Sequence, residues 1–69
     1  MGADVAHQVA RRRRALGLRQ EDVARLAGVS RATVIAIEQG RETLQVDKLR
    51  RVLEVLDLAL VIERREPEG

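Results

Sequence analysis

The sequence predicts an all-α fold, a bundle of four main helices followed by a short C-terminal β-strand that pairs with its dimer mate. Three observations carry that expectation. Apolar residues recur at helical spacing over most of the chain. Gly17, Gly28 and Gly40 stand where successive helices should stop. Only after Leu56 does the apolar pattern change period.

Asp4 stands where it can cap a first helix, with Val5, Val9 and Leu16 as its apolar positions and Gly17 ending it. A second, short helix runs from about Gln20 to Ala27, facing inward with Val23, Ala24 and Ala27, and Gly28 closes it. Glu21 and Asp22 sit in its first turn, where the helix dipole favours acids. Ser30 caps a third helix to about Gln39, with Val34 and Ile37 inward and Gly40 as its stop. Only Gly28, Val29 and Ser30 separate the second and third helices, and two short helices around a three-residue turn containing Gly make a helix-turn-helix. A fourth helix, about Val46 to Leu56, carries Val46, Leu49, Val52, Leu53 and Leu56 on one face.

Beyond it, Leu58, Leu60 and Ile62 alternate with Ala59 and Val61. The segment is short, apolar and partly β-branched, which fits a strand covered on both faces. One strand leaves its own backbone groups unsatisfied, and the economical solution is antiparallel pairing with the same strand of a twin subunit. The alternative is a ragged helix end over Ala59 to Glu63. The expected organisation is a domain over 1–57, a dimerisation strand over 58–63 and a flexible charged tail over 64–69.

Composition narrows the function. A chain of 69 residues allows one domain and one modest core, and such chains usually need a staple. Cysteine is absent, and a lone His7 cannot hold a metal by itself, so neither metal nor cofactor is expected and a partner subunit is the remaining staple. With no aromatic residue, the base stacking that RNA and single-strand binders use is unavailable. No apolar run reaches the roughly 18 residues of a membrane span, and no signal-peptide pattern opens the chain, so the expected compartment is the cytoplasm, without membrane contact. Residues 1–41 hold eight Arg against four acids, a balance of +4, while residues 42–69 hold five basic and seven acidic side chains, −2. A basic first part and an acidic second part point to one face for a polyanion and another for something else.

Catalysis finds no support. Glu21 and Asp22 point to different sides of a helix, Glu63 and Glu66 lie in a charged tail, and no motif gives Ser30 a His and Asp partner. No Gly-rich phosphate cradle occurs, and a core this small does not readily supply a pocket. No enzyme activity is expected.

Leu18-Arg19-Gln20-Glu21-Asp22-Val23-Ala24, Ala27-Gly28-Val29-Ser30, Thr33-Val34 and Ile37-Glu38-Gln39-Gly40-Arg41 resemble, in that order, the XRE family of DNA-binding domains typified by lambdoid phage repressors. The resemblance covers about residues 5–58. It implies a lambda-repressor-like helix-turn-helix bundle whose third helix enters the major groove of double-stranded DNA, its N-terminal residues at base edges. Gln20 matches the family's phosphate-binding glutamine; its other reading is a plain capping-region residue. Arg31 is the expected base reader, with two hydrogen bonds to guanine O6 and N7, or else a phosphate ligand. Ser30 and Ala32 occupy neighbouring contact positions, and Ala32 offers only apolar contact, for instance to a thymine methyl. Ile35 and Ala36 fall where many relatives carry polar base readers. That departure leaves few direct hydrogen-bonding readers, and DNA shape would supply part of the specificity.

Thr33 and Arg41 match backbone-contact positions, although Thr33 has an alternative bond to a carbonyl of its own helix. Arg11, Arg12, Arg13 and Arg14 spread around a helix rather than forming one patch. Arg13 and Glu38 match a family pair expected to form an internal salt bridge tying the first helix to the third. Which of the other three reach DNA stays open.

Leu56-Asp57-Leu58-Ala59-Leu60-Val61-Ile62-Glu63 resembles the segment after the last helix in HipB-type antitoxins. In that group it forms an intermolecular two-stranded sheet. The resemblance implies a homodimeric autorepressor of palindromic operators that also holds a HipA-like kinase toxin on an outer surface, including the fourth helix and tail. Two other classes stay open: a stand-alone phage or restriction-control regulator, and a helix-turn-helix module for protein interaction.

Overall fold

Every described helix of this chain stops where one residue turns left-handed. The computed structural model describes residues 3–41 and 45–58, and over these the chain forms α1 (Ala3–Ala15), α2 (Gln20–Ala27), α3 (Arg31–Glu38) and α4 (Val46–Val55). At the end of α2, Gly28 takes φ +69°. The Val29 amide then donates to the Ala24 carbonyl at 3.0 Å and the Gly28 amide to Arg25 at 3.3 Å, so two carbonyls that the helix leaves unpaired are satisfied. Gly17 and Gly40 close α1 and α3 with the same bonds. At the end of α4 the left-handed residue is Asp57, φ +56°, with Leu58 donating to Leu53 at 2.8 Å.

The starts of the two central helices are also fixed locally. Asp22 Oδ2 accepts from the Arg19 amide at 2.8 Å, one residue before α2. Ser30 Oγ accepts from the Thr33 amide at 3.1 Å and caps α3. With both ends specified, each of these eight-residue helices needs only one inward face to dock.

Those faces build the core. Val9, Val23, Val34, Ile37, Val52 and Leu56 are under 2% exposed, and Ala24, Ala27, Leu49 and Leu53 complete the buried cluster. Each large side chain removed from water this way contributes about 1.5–3 kcal/mol. The centre is α2, which packs against both α3 and α4, while α1 lies on α3. One tie joins α1 to the far end of α4: Arg12 Nε donates to the Leu56 carbonyl at 3.0 Å. That carbonyl lies at a helix C-terminus, where a cation is favoured.

Three sequence expectations are corrected. Asp4 lies inside the first turn of α1 rather than ahead of it, because the helix already runs from Ala3. Leu16 is 44% exposed: α1 ends at Ala15, so helical periodicity no longer carries Leu16 to the inner face. Val46 is 58% exposed, since as the first residue of α4 it overhangs the core that Leu49 enters one turn later. The expected fourth-helix end at Leu56 and third-helix end at Gln39 each fall one residue later than observed, at the capping residue.

Of the expected strand, only Leu58 is described; it is half-buried and packs against the helical core. Ala59, Leu60, Val61 and Ile62, like the tail over 64–69, lie outside the described residues. Among the described residues all regular structure is helical, and no helix there is long and apolar enough to cross a membrane.

Candidate nucleic-acid interface

The third helix divides its residues by the 3.6-residue period. Val34 and Ile37 face the core and are 0% exposed. Arg31 and Ala32 are exposed, and Thr33, Ile35 and Ala36 are half-exposed. Spacings of three and four put Ala32, Ile35 and Ala36 on one side of the helix. Arg41, exposed, follows the turn at Gly40.

What ties α3 to α1 is Glu38. Arg13 Nε donates to Glu38 Oε2 at 2.8 Å and the Arg13 Nη2 group to Oε1 at 3.0 Å, a two-bonded fork between α1 and α3. Arg13 Nη1 donates to the Leu18 carbonyl at 2.9 Å, so the same guanidinium also fixes the turn after α1. The two side chains are only 11% and 7% exposed. Hydrogen bonding to Glu38 pushes the Arg13 pKa above its ordinary value; desolvation works against this, and the opposite charge of Glu38 adds to it.

Gln20 leans on this pair, with Nε2 at 3.4 Å from Glu38 Oε1, a long contact that leaves its second N–H and its carbonyl oxygen available. Gln20 and Arg31 border one shallow depression together with Arg13, Leu18, Arg19 and Glu21. The first turn of α2 and the first turn of α3 therefore open toward the same place. Helix N-termini present unpaired amides and the positive end of the dipole, which suits an anion.

Ser30 and Thr33 are more engaged than their sequence positions indicate. Their hydroxyls lie 2.9 Å apart, in addition to the capping bond from the Thr33 amide. The Thr33 hydroxyl meets Ser30 rather than a carbonyl of its own helix. When Ser30 donates in that pair, the Thr33 proton remains free for an outside acceptor.

The four consecutive arginines of α1 separate into roles. Arg13 is held by Glu38 and Leu18, Arg12 by Leu56, and Arg11 and Arg14 are exposed. Arg19 is a further candidate that sequence reasoning passed over. It is exposed, lines the depression beside Gln20 and Arg31, and pairs only loosely with Glu21 at 3.6 Å. Its position one residue before the α2 start was the available signal. Gln39, also exposed, lies seven residues after Ala32 and so on the same side of α3.

A helix-turn-helix family model of the XRE type matches residues 9–62, which includes all of α2, α3 and α4. No curated protein matches the chain.

Proposed function

The chain belongs to the XRE-type helix-turn-helix family of DNA-binding domains, and on that premise we propose that it is a dimeric transcriptional repressor reading a palindromic operator, as the antitoxin of a HipBA-like pair. One observation carries the DNA-reading part. The third helix is capped by Ser30 and clamped by Arg13 and Glu38, yet Arg31 and Ala32 at its first turn stay exposed. Inserted in the major groove, that turn brings Ser30, Arg31, Ala32, Ile35 and Ala36 to base edges. Gln20, Thr33 and Arg41 then meet phosphates on either side, with Arg19 beside Gln20.

The dimer and the toxin rest on the Leu56–Glu63 sequence. Leu58, Ala59, Leu60, Val61 and Ile62 pair with their copies across a two-fold axis, and 64–69 is a charged tail. The antitoxin role adds a HipA-like kinase toxin as a second partner, on a surface away from α3.

A salt titration tests this reading. With Arg19 and Arg41 on phosphates in each of two protomers, log K falls against log salt with a slope of roughly −4, about 150-fold between 50 and 200 mM. One protomer alone gives a slope of about −2 and a loss of about 12-fold. Anisotropy of a labelled duplex reads the difference, and truncation after Asp57 should convert the first slope to the second. Failure to bind duplex at 50 mM salt refutes DNA reading; a steep slope that survives the truncation refutes the strand-paired dimer. A stoichiometric complex with an ATP-binding kinase in the native host supports the antitoxin role, and its absence leaves a stand-alone regulator.

A further inference from the structure

The outward side of α3 carries hydrocarbon where a base reader usually carries hydrogen-bonding groups. Ala32 is exposed and Ile35 and Ala36 are half-exposed, on the side away from the buried Val34 and Ile37. None of the three side chains donates or accepts a hydrogen bond. The edges of adenine, guanine and cytosine in the major groove offer N7, O6, N6 and N4, which hydrocarbon cannot satisfy. The one apolar group on that floor is the methyl at C5 of a pyrimidine, carried by thymine.

Resting on the DNA-binding reading above, we propose that Ala32, Ile35 and Ala36 recognise the 5-methyl groups of pyrimidines, next to a guanine taken by Arg31. The protein thus selects thymine over uracil and accepts 5-methylcytosine over cytosine. Charge identifies nucleic acid, rather than an apolar protein surface, as the occupant of this stripe. Arg31 flanks it at one end and Arg41 follows at the other, both exposed. The only acid on α3, Glu38, is 7% exposed and held in the Arg13 fork, so α3 itself presents no carboxylate to the approaching phosphates. An apolar protein partner would have to desolvate those arginines without compensation.

Burying one methyl contributes about fourfold in affinity, and a two-fold site with one such contact per half-site gains about 15-fold. The experiment begins with selection from a random-sequence duplex pool made with thymine. The enriched site is then resynthesised with uracil replacing each thymine in turn. At every sensitive position, cytosine and 5-methylcytosine are compared as a second pair that differs by the methyl alone. The expected result is a loss of about fourfold per methyl in both comparisons at positions next to a guanine, abolished in Ile35→Ala or Ala32→Ser. An enriched site whose affinity changes less than twofold at every uracil substitution overturns the methyl reading while leaving DNA binding intact. No enrichment and no duplex binding at low salt overturns the DNA-binding reading, and this inference with it.

Discussion

Replacing Arg13 by Met should destabilise the fold by about 3–5 kcal/mol. The substitution keeps the stem volume and removes the guanidinium, and with it both bonds to Glu38 and the bond to the Leu18 carbonyl. What remains is a carboxylate 7% exposed, whose nearest other donor is Gln20 Nε2 at 3.4 Å. Leaving a buried charge unpaired accounts for most of the loss; the net worth of the pair is smaller. At about 0.05–0.15 kcal/mol per residue, a chain of 69 residues has roughly 3–10 kcal/mol of stability in all. The single variant should therefore lose from about a third to all of this stability, read as a lower urea midpoint.

The chain has no aromatic residue, so the unfolding curve must be followed by far-ultraviolet circular dichroism rather than intrinsic fluorescence. Arg13→Met combined with Glu38→Leu closes the cycle. Removing both charges together should recover most of the loss, because apolar replacement of a buried pair is often neutral or stabilising. A single-variant loss below about 1 kcal/mol, the range of exposed pairs, would refute the argument. So would a double variant as unstable as the two singles added together.

Arg12→Met should lose about 1–2 kcal/mol by removing the charged donor from the Leu56 carbonyl, read as a lower urea midpoint. If instead stability holds and duplex affinity falls, Arg12 belongs to the interface. Ser30→Ala should cost about 1 kcal/mol and Ser30→Gly only a few tenths, as capping requires; equal losses in thermal melts would count against the cap. Asp57→Gly should gain about 0.5–1 kcal/mol by relieving the left-handed backbone at φ +56°. A lower melting temperature for that variant would mean that the Asp57 side chain has a stabilising role of its own.

The helices most legible in the sequence were those with chemistry at both ends. For α3, Ser30 as cap, Gly40 as stop and Val34 and Ile37 as inward positions determine both length and orientation. Leu16 and Val46 misled because periodicity assigns a face only while the helix continues and only where there is core to cover. The bond from Arg12 to Leu56 spans 44 positions and leaves no local trace; four consecutive arginines look alike until the packing of α1 separates them. The pairing of Arg13 with Glu38 was available from family resemblance rather than from spacing. Asp57 was missed as a helix stop because the other three stops are glycines. The hydroxyl pair of Ser30 and Thr33 follows from capping geometry, since a cap and a hydroxyl three residues later share one turn.

The placement of charge in α1 explains how so small a domain keeps a reading helix both rigid and uncovered. A helix of eight residues is too short to be stable alone, so α3 depends on what holds it. Burying its outer face would provide that support and would also hide it. Here the support comes from behind and from the ends: Val34 and Ile37 in the core, the Ser30 cap at the first turn, and Arg13 reaching from α1 to Glu38 at the last. Two of the four α1 arginines are committed internally, Arg13 to this bracing of α3 and Arg12 to the end of α4, so half of the basic run is a device for orientation. In the proposed DNA complex the cations at the rims of α2 and α3 that meet the duplex are Arg19, Arg31 and Arg41, all exposed. A helix already fixed in this way loses little further conformational entropy on docking, and preorganisation of that kind favours affinity even when few side chains form hydrogen bonds to bases. The apolar Ala32, Ile35 and Ala36 stripe is therefore compatible with a functioning reader, because the geometry that presents it is held mainly from behind, by Val34 and Ile37 in the core and by the Arg13–Glu38 fork.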